Sequence, residues 1–418
     1  MQSGLYAALV ADGLLIPHDD LGPQPSQPGA WTVIRPERIP MISYPYEWCV
    51  SQLRDAARLL LRVQRRALEF GLSLKDASAY NIQFLRGRPV MIDTLSFEAH
   101  RPGPWFAYRQ FCQHFYAPLL LASQADPQLA RLSQVFIDGV PLPLASRLLP
   151  ASSWLRPGPL MHIHLHAKAE QKWSGRAAPE PGASSARPPQ DSRPLLESLE
   201  RAVAAVRWAP RSAWSTYYAE QPSYEQAAFD RKRELVTAWL QRVAPRTVWD
   251  FGANTGQFSR IAAEQGAQVV AFDADPACVE LMYREARSST IERLLPLVAD
   301  LASPSPAIGW ANAERMTVEQ RGPADLMLAL ALVHHLAIGN NVPFADIAAY
   351  FSRVARRVIV EFVPRSDAMV RQMLAGRDDV FEDYAGEPFE RAFAAHFTID
   401  ERVALMPSDR VLYLMTAR

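Results

Sequence analysis

The chain has 418 residues, of which 49% are apolar and 21% charged, values typical of a soluble protein with enough apolar surface to form packed cores. A single core rarely grows to this length, so we expect two domains. Lysine plus arginine and aspartate plus glutamate balance at 44 each, which argues against a protein whose whole surface attracts nucleic acid or an anionic membrane.

Cysteine usage and the apolar runs indicate the compartment. Cys49, Cys112 and Cys278 lie far apart and no Cys-x-x-Cys pair occurs, which is typical of a reduced cytoplasmic protein. The start of the chain lacks basic residues, and Asp12 interrupts its only apolar stretch, so no secretory signal is expected. The longest apolar run, Leu326–Val333, is far shorter than the roughly 20 residues of a membrane helix. We therefore expect a cytoplasmic protein without a membrane span.

The first half of the chain is predicted to be mainly α-helical. In Glu47–Phe70 the apolar residues recur three and four positions apart, as on an amphipathic helix. One exception is Ile82–Ser96, where two apolar segments flank Arg86–Pro89 as in a short β-hairpin.

The string SLKDASAYNIQF places Asp76 five residues before Asn81, and Asp93 ends the apolar segment that follows. This pattern resembles the catalytic loop and metal-binding aspartate of kinase-like phosphotransferases, in which the first aspartate orients the acceptor hydroxyl and the other two residues hold magnesium. Leu74 stands where that family has histidine, and Lys75 is the first lysine, so a phosphate-anchoring lysine has no candidate. Three interpretations stay open: a relic of the kinase-like large lobe, an unrelated helical domain, and a magnesium- and ATP-dependent phosphotransferase.

The string MHIHLH places His162, His164 and His166 two residues apart. On a strand this spacing puts three imidazoles on one face, where they could bind a metal ion. The string contains no acidic residue or cysteine, so we favour structural histidines and predict no metal.

Composition divides the chain into two predicted domains. Ser174–Pro194 is rich in proline, alanine, serine and glycine and has little to bury, which indicates a linker. We therefore predict a mainly helical domain over 1–170, a linker over 171–200 and a second domain over 201–418.

In the second domain, short apolar runs alternate with helical stretches, which indicates βαβ units and a parallel sheet. The seven predicted strands are Thr247–Phe251, Gln268–Phe272, Leu295–Ala299, Leu326–Ala331, Val358–Val363, Phe397–Met406 and Val411–Thr416. The last two are joined by only Pro407, Ser408 and Asp409, too few residues for a crossover helix. We therefore expect the last strand to be antiparallel to its neighbour.

The first of these strands ends in VWDFGANTGQF, in which Asp250, Gly252 and Gly256 form Asp-x-Gly-x-x-x-Gly at a strand-to-helix junction. Glycine lets the backbone turn sharply and approach a ligand closely. The string resembles motif I of the Rossmann-like S-adenosylmethionine-dependent methyltransferases. The resemblance implies that this loop, including Asn254, binds the amino-acid tail and sulfonium of S-adenosylmethionine.

Acidic residues follow the next two strands. Asp273 ends the second strand about twenty residues after the glycine loop, where a carboxylate can accept hydrogen bonds from both ribose hydroxyls. Asp275 precedes Pro276 and is predicted to cap a helix. By resemblance to the family, Asp300 contacts the adenine amine and Leu301 offers its backbone N–H; a helix cap or a solvated loop residue is the alternative for Asp300.

Two histidines follow the fourth strand, His334 and His335, at the sheet edge where open α/β folds collect ligands. Methyl transfer from a sulfonium needs mainly alignment and exclusion of water, so few catalytic residues are expected. If the acceptor is a hydroxyl, a base would help, and these histidines and Glu361 are the candidates. A buried, hydrogen-bonded structural pair is the alternative for the histidines.

Tyr217, Tyr218 and Tyr224 precede the first helix of this domain, in a segment that in related enzymes often folds over the cofactor; ordinary packing is the alternative. We predict methylation of a small molecule or a protein side chain and no contact with nucleic acid, since the chain lacks the Asn/Asp-Pro-Pro-Tyr signature of enzymes that methylate base amino groups. A non-catalytic interaction protein of the same fold is the alternative function, and the oligomeric state stays open.

Overall fold

The computed structural model describes residues 3–26, 29–173, 192–212, 226–375 and 380–418. Two compact units divide the chain, Met1–Ala209 and Pro210–Arg418. Tyr217, Tyr218 and Tyr224, predicted to lie near the cofactor, fall outside the described residues.

A helix, Arg193–Ala204, lies where the linker and the start of the second domain were predicted, and it belongs to the first unit. Its Leu196, Leu199 and Val203 are buried, and their spacing of three and four residues places them on one helix face. The helix begins directly after a proline- and alanine-rich stretch, and its first residues were therefore assigned to the predicted linker. Most of that stretch, residues 174–191, lies outside the described residues.

The first unit combines helices with short antiparallel strand pairs. Its α-helices are Leu5–Ala11, Val50–Glu69, Tyr108–Phe111, Ala117–Gln124, Leu132–Val135, Leu142–Leu148, Pro157–Pro159, His166–Trp173 and Arg193–Ala204. Its strands are β1 (His18–Asp20), β2 (Ile34–Pro36), β3 (Leu72–Leu74), β4 (Ile82–Leu85), β5 (Arg88–Met91) and β6 (Phe97–Ala99), paired β1–β2, β3–β6 and β4–β5.

The long helix Val50–Glu69 forms much of the core of this unit. Leu53, Leu60 and Val63 are fully buried on its apolar face. Gln64 is also buried, and its side-chain oxygen accepts a 2.7 Å hydrogen bond from the backbone of Leu74, which ties the helix to β3. The amphipathic pattern in the sequence predicted this helix to within three residues at its start.

The predicted β-hairpin is present as β4 and β5. Its turn is only two residues long, because Arg86 and Gly87 both have positive φ values, 52° and 68°. Such turns match the twist of antiparallel strands. Arg88 and Pro89, predicted as turn residues, instead begin β5, where they pair with Leu85 and Phe84.

The second unit is built on a seven-stranded, mostly parallel sheet, as predicted. Its strands are β7 (Thr247–Phe251), β8 (Gln268–Asp273), β9 (Leu294–Val298), β10 (Leu326–Ala329), β11 (Arg357–Phe362), β12 (Phe397–Ala404) and β13 (Val411–Ala417). Their order is β12-β13-β11-β10-β7-β8-β9. β13 is antiparallel to both β11 and β12, which confirms the antiparallel last strand. This is the α/β sheet that the resemblance to Rossmann-like methyltransferases implies.

Helices connect the strands of this sheet. They are Gln226–Val243, Gln257–Glu264, Pro276–Ser288, Phe344–Val354, Ala368–Leu374 and Gly386–Ala394. The chain runs from β7 outward to β9 and then returns to place β10 on the other side of β7. In open α/β sheets, ligands collect at the carboxyl ends of the strands where the order reverses in this way. The β7–β10 boundary therefore locates the candidate site. None of the described helices is both long and apolar enough to span a membrane.

Candidate functional site

The loop after β7 holds the predicted cofactor glycines. Gly252 and Gly256 have φ values of 71° and 80°, a region that favours glycine, and Asn254 is also left-handed at 52°. A Cβ on Gly252 would lie 3.2 Å from the Leu332 side chain, and one on Gly256 would lie 2.7 Å from the sulfur of Met282. A side chain at either position would therefore strain the backbone and would also require the Leu332 or Met282 side chain to move.

Asp273 lies directly beside this loop. The backbone N–H of Asn254 donates to one of its carboxylate oxygens at 2.7 Å, and that of Asp275 donates to the other at 2.8 Å. Burial raises the pKa of Asp273 to about 6, against the effect of these two hydrogen bonds. The structure thus brings together the glycine loop and the acid that ends the next strand. Asp275 accepts from the backbone of Ala277 and caps the following helix, as predicted.

Asp250, the first residue of the motif, is buried beneath the same loop. Its carboxylate accepts a 2.6 Å hydrogen bond from the hydroxyl of Ser259. Burial, with a smaller contribution from the nearby Asp273, raises the pKa of Asp250 to about 7. A carboxyl group in this position can gain or lose a proton near neutral pH, and a bound cation would favour its ionised form.

Asp300 and Leu301 follow β9 at the same edge of the sheet. The described contacts of the Asp300 side chain are local: its carboxylate accepts from the backbone N–H of Ala302 at 2.9 Å. Both residues are half-buried. Their proposed contact with adenine stays a prediction.

His334 and His335 lie past the end of β10, with ring centroids 4.2 Å apart. Burial lowers the pKa of both imidazoles. His334 is 2% exposed, and its Nδ1 atom has no hydrogen-bond partner within the described part of the chain. An imidazole held neutral in this way can accept a proton or a hydrogen bond from a ligand.

Glu361, near the end of β11, is held in a buried network of charges. One oxygen lies 2.5 Å from the ammonium of Lys232 and the other 3.4 Å from the guanidinium of Arg410. Arg410 also donates to Asp367 at 2.8 Å. Lys232 and Arg410 were not predicted as site residues, because nothing in their local sequence distinguishes them from surface residues. They fix Glu361 as a carboxylate with two cationic partners.

Lys232 also connects this network to the cofactor loop. Its ammonium lies 5.0 Å from the centre of the Phe258 ring, on the helix that follows the glycine loop, and it is close enough to Asp250 for each charge to influence the other. Burial lowers the pKa of Lys232, while its contact with Glu361 opposes that shift.

In the first unit, the structure brings Asp76, Asn81 and Asp93 into one hydrogen-bond network through Ser96. The Asn81 amide donates to Asp76 at 3.1 Å and to Ser96 at 3.3 Å, and Ser96 donates to Asp93 at 2.6 Å. Gln110 donates to the other oxygen of Asp76 at 2.7 Å. Every carboxylate oxygen of the two aspartates therefore accepts a donor from the chain itself, which indicates a structural network.

The MHIHLH segment does not form a strand. Leu160–Leu165 is a π-helix that continues as an α-helix from His166. The histidines therefore point to different partners. His162 bonds Tyr108 and Ser198, at 2.9 and 3.0 Å. His164 bonds the hydroxyls of Ser146 and Ser153, both at 2.7 Å, and stacks on Trp154. His166 stacks on Tyr108. Among the residues that the structure describes, no group of metal-ligating side chains comes together.

Comparison with known proteins gives one extensive similarity. No protein-family model matches the chain. The chain is 36% identical over 414 residues to the nodulation protein NoeA of Rhizobium meliloti (strain 1021), an alignment that covers 97% of the chain and 87% of NoeA.

Solved structures match only part of the chain. The magnesium protoporphyrin IX methyltransferase ChlM from Synechocystis PCC 6803 is 18% identical, covering 46% of this chain and 84% of its own, with a TM-score of 0.33. The N-methyltransferase NodS from Bradyrhizobium japonicum WM9 is 14% identical, covering 45% and 96%, with a TM-score of 0.34. The bifunctional kinase-methyltransferase WbdD is 19% identical, covering 47% and 42%, with a TM-score of 0.32. Scores this low support no conclusion about activity.

The similarity to NoeA differs in kind from these, because it runs through both units at an identity that indicates common descent. The chain belongs to the family of the nodulation protein NoeA.

Proposed function

We propose that the second unit transfers a methyl group from S-adenosylmethionine to an acceptor atom on a small molecule or a protein side chain. The observation that carries the proposal is the contact between Asn254 and Asp273 across the carboxyl ends of β7 and β8, next to the reversal of the strand order between β7 and β10. It joins a left-handed glycine loop to a half-buried carboxylate at the edge where ligands of this fold class bind.

The residues at this edge fit the chemistry of the cofactor. Each oxygen of Asp273 accepts one backbone N–H, and a carboxylate has about four acceptor sites, so both ribose hydroxyls can still donate to it. Asp250, whose pKa burial raises to about 7, lies close to Asp273. A cationic ligand near these two carboxyl groups would favour their ionised forms.

The acceptor side of the site favours one base candidate over the others. Methyl displacement breaks the bond from sulfur to carbon, forms a bond from carbon to the acceptor atom, and releases a proton if the acceptor is a hydroxyl. Glu361 is neutralised by Lys232 and Arg410, which makes it a poor proton acceptor. Burial and the same two cations also lower the pKa of His334, so its imidazole stays neutral, but its Nδ1 is not engaged by the described residues and can accept a hydrogen bond from a hydroxyl. We rank His334 first among the base candidates on the ground of this open acceptor atom.

Calorimetric titration of S-adenosylhomocysteine tests the cofactor site. Asp273→Ala is expected to weaken binding by about 100-fold, because it removes two hydrogen bonds to a charged acceptor. Asp325→Ala is the matched control: Asp325 also accepts two backbone N–H bonds, from Arg246 and Thr247, but lies at the start of β10, at the opposite edge of the sheet. Equal losses in the two variants would show that affinity depends only on folding and would contradict the proposed site.

Mass spectrometry of ligand that stays bound through purification separates enzyme from interaction protein. We expect S-adenosylmethionine or S-adenosylhomocysteine to co-purify with the wild-type chain. A wild-type protein that retains neither molecule and gives no heat on titration would favour the non-catalytic alternative.

A further inference from the structure

The opposite edge of the sheet carries a second concave surface, in the second unit. A cavity of about 620 Å³ opens where β7, β10 and β11 begin and β13 ends. This volume lies within the range typical of small-molecule sites. It is distant in the fold from the carboxyl ends of the parallel strands, where the candidate methyltransferase site lies, because the strands separate the two edges.

Arginine side chains dominate the lining of this cavity: Arg246, Arg353, Arg356, Arg357 and Arg418. Arg353 is engaged, since it donates to Glu319 at 3.0 Å. Asp325 is the acidic residue of the lining, and it lies 3.8 and 3.9 Å from Arg246 and Arg356, too far for a hydrogen bond. Within the described ranges, Arg357 and Arg418 pair with no carboxylate. Arg357 and Arg418 therefore bring guanidinium groups to the lining that no described carboxylate pairs, while Arg246 and Arg356 share the single carboxylate of Asp325 at ion-pair distance.

The ends of two helices account for only part of the positive charge that the arginines bring to this cavity. The helices Gln226–Val243 and Phe344–Val354 end at this edge, and cations near a helix C-terminus are favoured. That argument covers Arg353, in the last turn of the second helix. It does not cover Arg357, the first residue of β11, or Arg418 at the end of the chain.

A smaller cavity of about 260 Å³ adjoins the first and shares two of its residues, Ala244 and Pro245. Its wall is largely apolar and includes the buried side chains of Leu240, Ala262 and Ala267. Ala244, in the shared wall, directly follows the helix Gln226–Val243, and its positive φ of 45° is a left-handed helix ending in which its N–H donates to the carbonyl of Leu240.

We propose that this groove binds a phosphate monoester whose organic part is apolar. A guanidinium matches a phosphate with two parallel hydrogen bonds, and the adjoining apolar cavity would receive the organic group. The balanced charge of the whole chain and the limited size of the groove favour a small anion over a long polyanion. This proposal does not rest on the methyltransferase activity of the other edge.

Calorimetric titration of the full-length protein with phenyl phosphate in low-salt buffer tests the proposal. We expect saturable binding that the double variant R356A/R357A weakens at least 10-fold. Arg391→Ala is the matched control, because Arg391 is 71% exposed in the same unit and does not line the groove. Inorganic phosphate should bind at least about 5-fold more weakly than phenyl phosphate, since it leaves the apolar cavity unfilled.

A second experiment separates two sources of the same chemistry, a soluble ester and a lipid headgroup. Co-sedimentation with vesicles that contain phosphatidic acid, lost in R356A/R357A and kept in R391A, would assign the groove to a lipid. Binding of phenyl phosphate without vesicle binding would assign it to a soluble ester. The proposal is overturned if neither probe binds, if both variants bind as the wild type does, or if R391A loses as much affinity as R356A/R357A. S-adenosylhomocysteine binding is expected to be the same in all three proteins.

Discussion

The ammonium of Lys232 lies 2.5 Å from a carboxylate oxygen of Glu361, and both side chains are almost completely buried. The two residues are far apart in the sequence, one on the first described helix of the second unit and the other on β11. Taking two charges out of water is costly, and only good geometry and further hydrogen bonds offset that cost. Arg410, on the other oxygen of Glu361, supplies part of this compensation.

Lys232→Met is expected to lower the free energy of unfolding by about 3–5 kcal/mol, because it leaves the buried carboxylate of Glu361 without the cation that lies 2.5 Å from it. The double variant K232M/E361Q removes both charges and should recover part of that loss. Urea unfolding of the two variants measures the difference. A double variant less stable than K232M would contradict a paired role for the two side chains.

Gly256→Ala tests the packing of the glycine loop. The backbone of the alanine would have to keep a positive φ, and its methyl group would meet the Met282 sulfur at 2.7 Å. We therefore expect the free energy of unfolding to fall by about 2–4 kcal/mol. Gly266→Ala is the control, since Gly266 has a φ of 96° but no neighbour within 4 Å of the added carbon. It should lose only about 1 kcal/mol, the conformational part. Thermal denaturation that ranks the two variants equally would show that Met282 moves aside without cost.

The stability of the protein should depend on pH through Asp250. Burial raises its pKa from an ordinary value of 3.8 to about 7. Between these values the folded state binds a proton that the unfolded state lacks, so this group's contribution to stability is largest below 3.8 and falls as the pH rises to about 7. Asp250→Asn lacks this dependence. Relative to wild type, the variant should gain about 3 kcal/mol in free energy of unfolding between pH 5 and pH 8.

Ser259→Ala provides the complementary measurement. The Ser259 hydroxyl donates to Asp250 and lowers its pKa, so removing it should raise that pKa further and extend the fall in stability to higher pH. Denaturant titrations at several pH values give these slopes. Parallel stability curves for wild type and both variants would mean that Asp250 does not titrate in this range.

The network around Asn81 predicts a structural role for the kinase-like residues of the first unit. Asn81→Ala is expected to cost about 1–3 kcal/mol, since Asp76 and Ser96 lose a donor. Magnesium and ATP together should leave the melting temperature unchanged, because the sequence offers no phosphate-anchoring lysine and the described side chains bring no group of metal ligands together. A magnesium-dependent rise in melting temperature that Asp93→Asn abolishes would establish a nucleotide site instead.

The sheet was predictable because its parallel strands are buried on both faces and therefore appear as continuous apolar runs. All four residues of β10 are buried, and its predicted range was too long by only two residues. The glycine loop and Asp273 were predictable for a related reason. Their positions are set by the ends of β7 and β8, which the same runs reveal.

The charged network around Glu361 could not be predicted in this way. Lys232 lies between Arg231 and Arg233, whose side chains are each 52% exposed, so its local sequence indicates a solvated helix face. Only the position of Glu361 on a distant strand shows that Lys232 points inward. The strand geometry considered for the three histidines was wrong for a different reason. Alternate residues of a strand share a face, but on the π-helix Leu160–Leu165 His162 and His164 are directed to separate serine hydroxyls.

The position of β13 has a consequence for how this protein is made. β13, residues 411–417, lies between β11 and β12 and pairs with both. In the described sheet β12 is an edge strand that pairs with β13 alone. If synthesis ends before β13, β12 has no neighbour to pair with, and its exposed backbone groups stay open to other chains. A released chain that ends shortly before Val411 should therefore be a better chaperone client, and more prone to aggregate, than one that continues through residue 417.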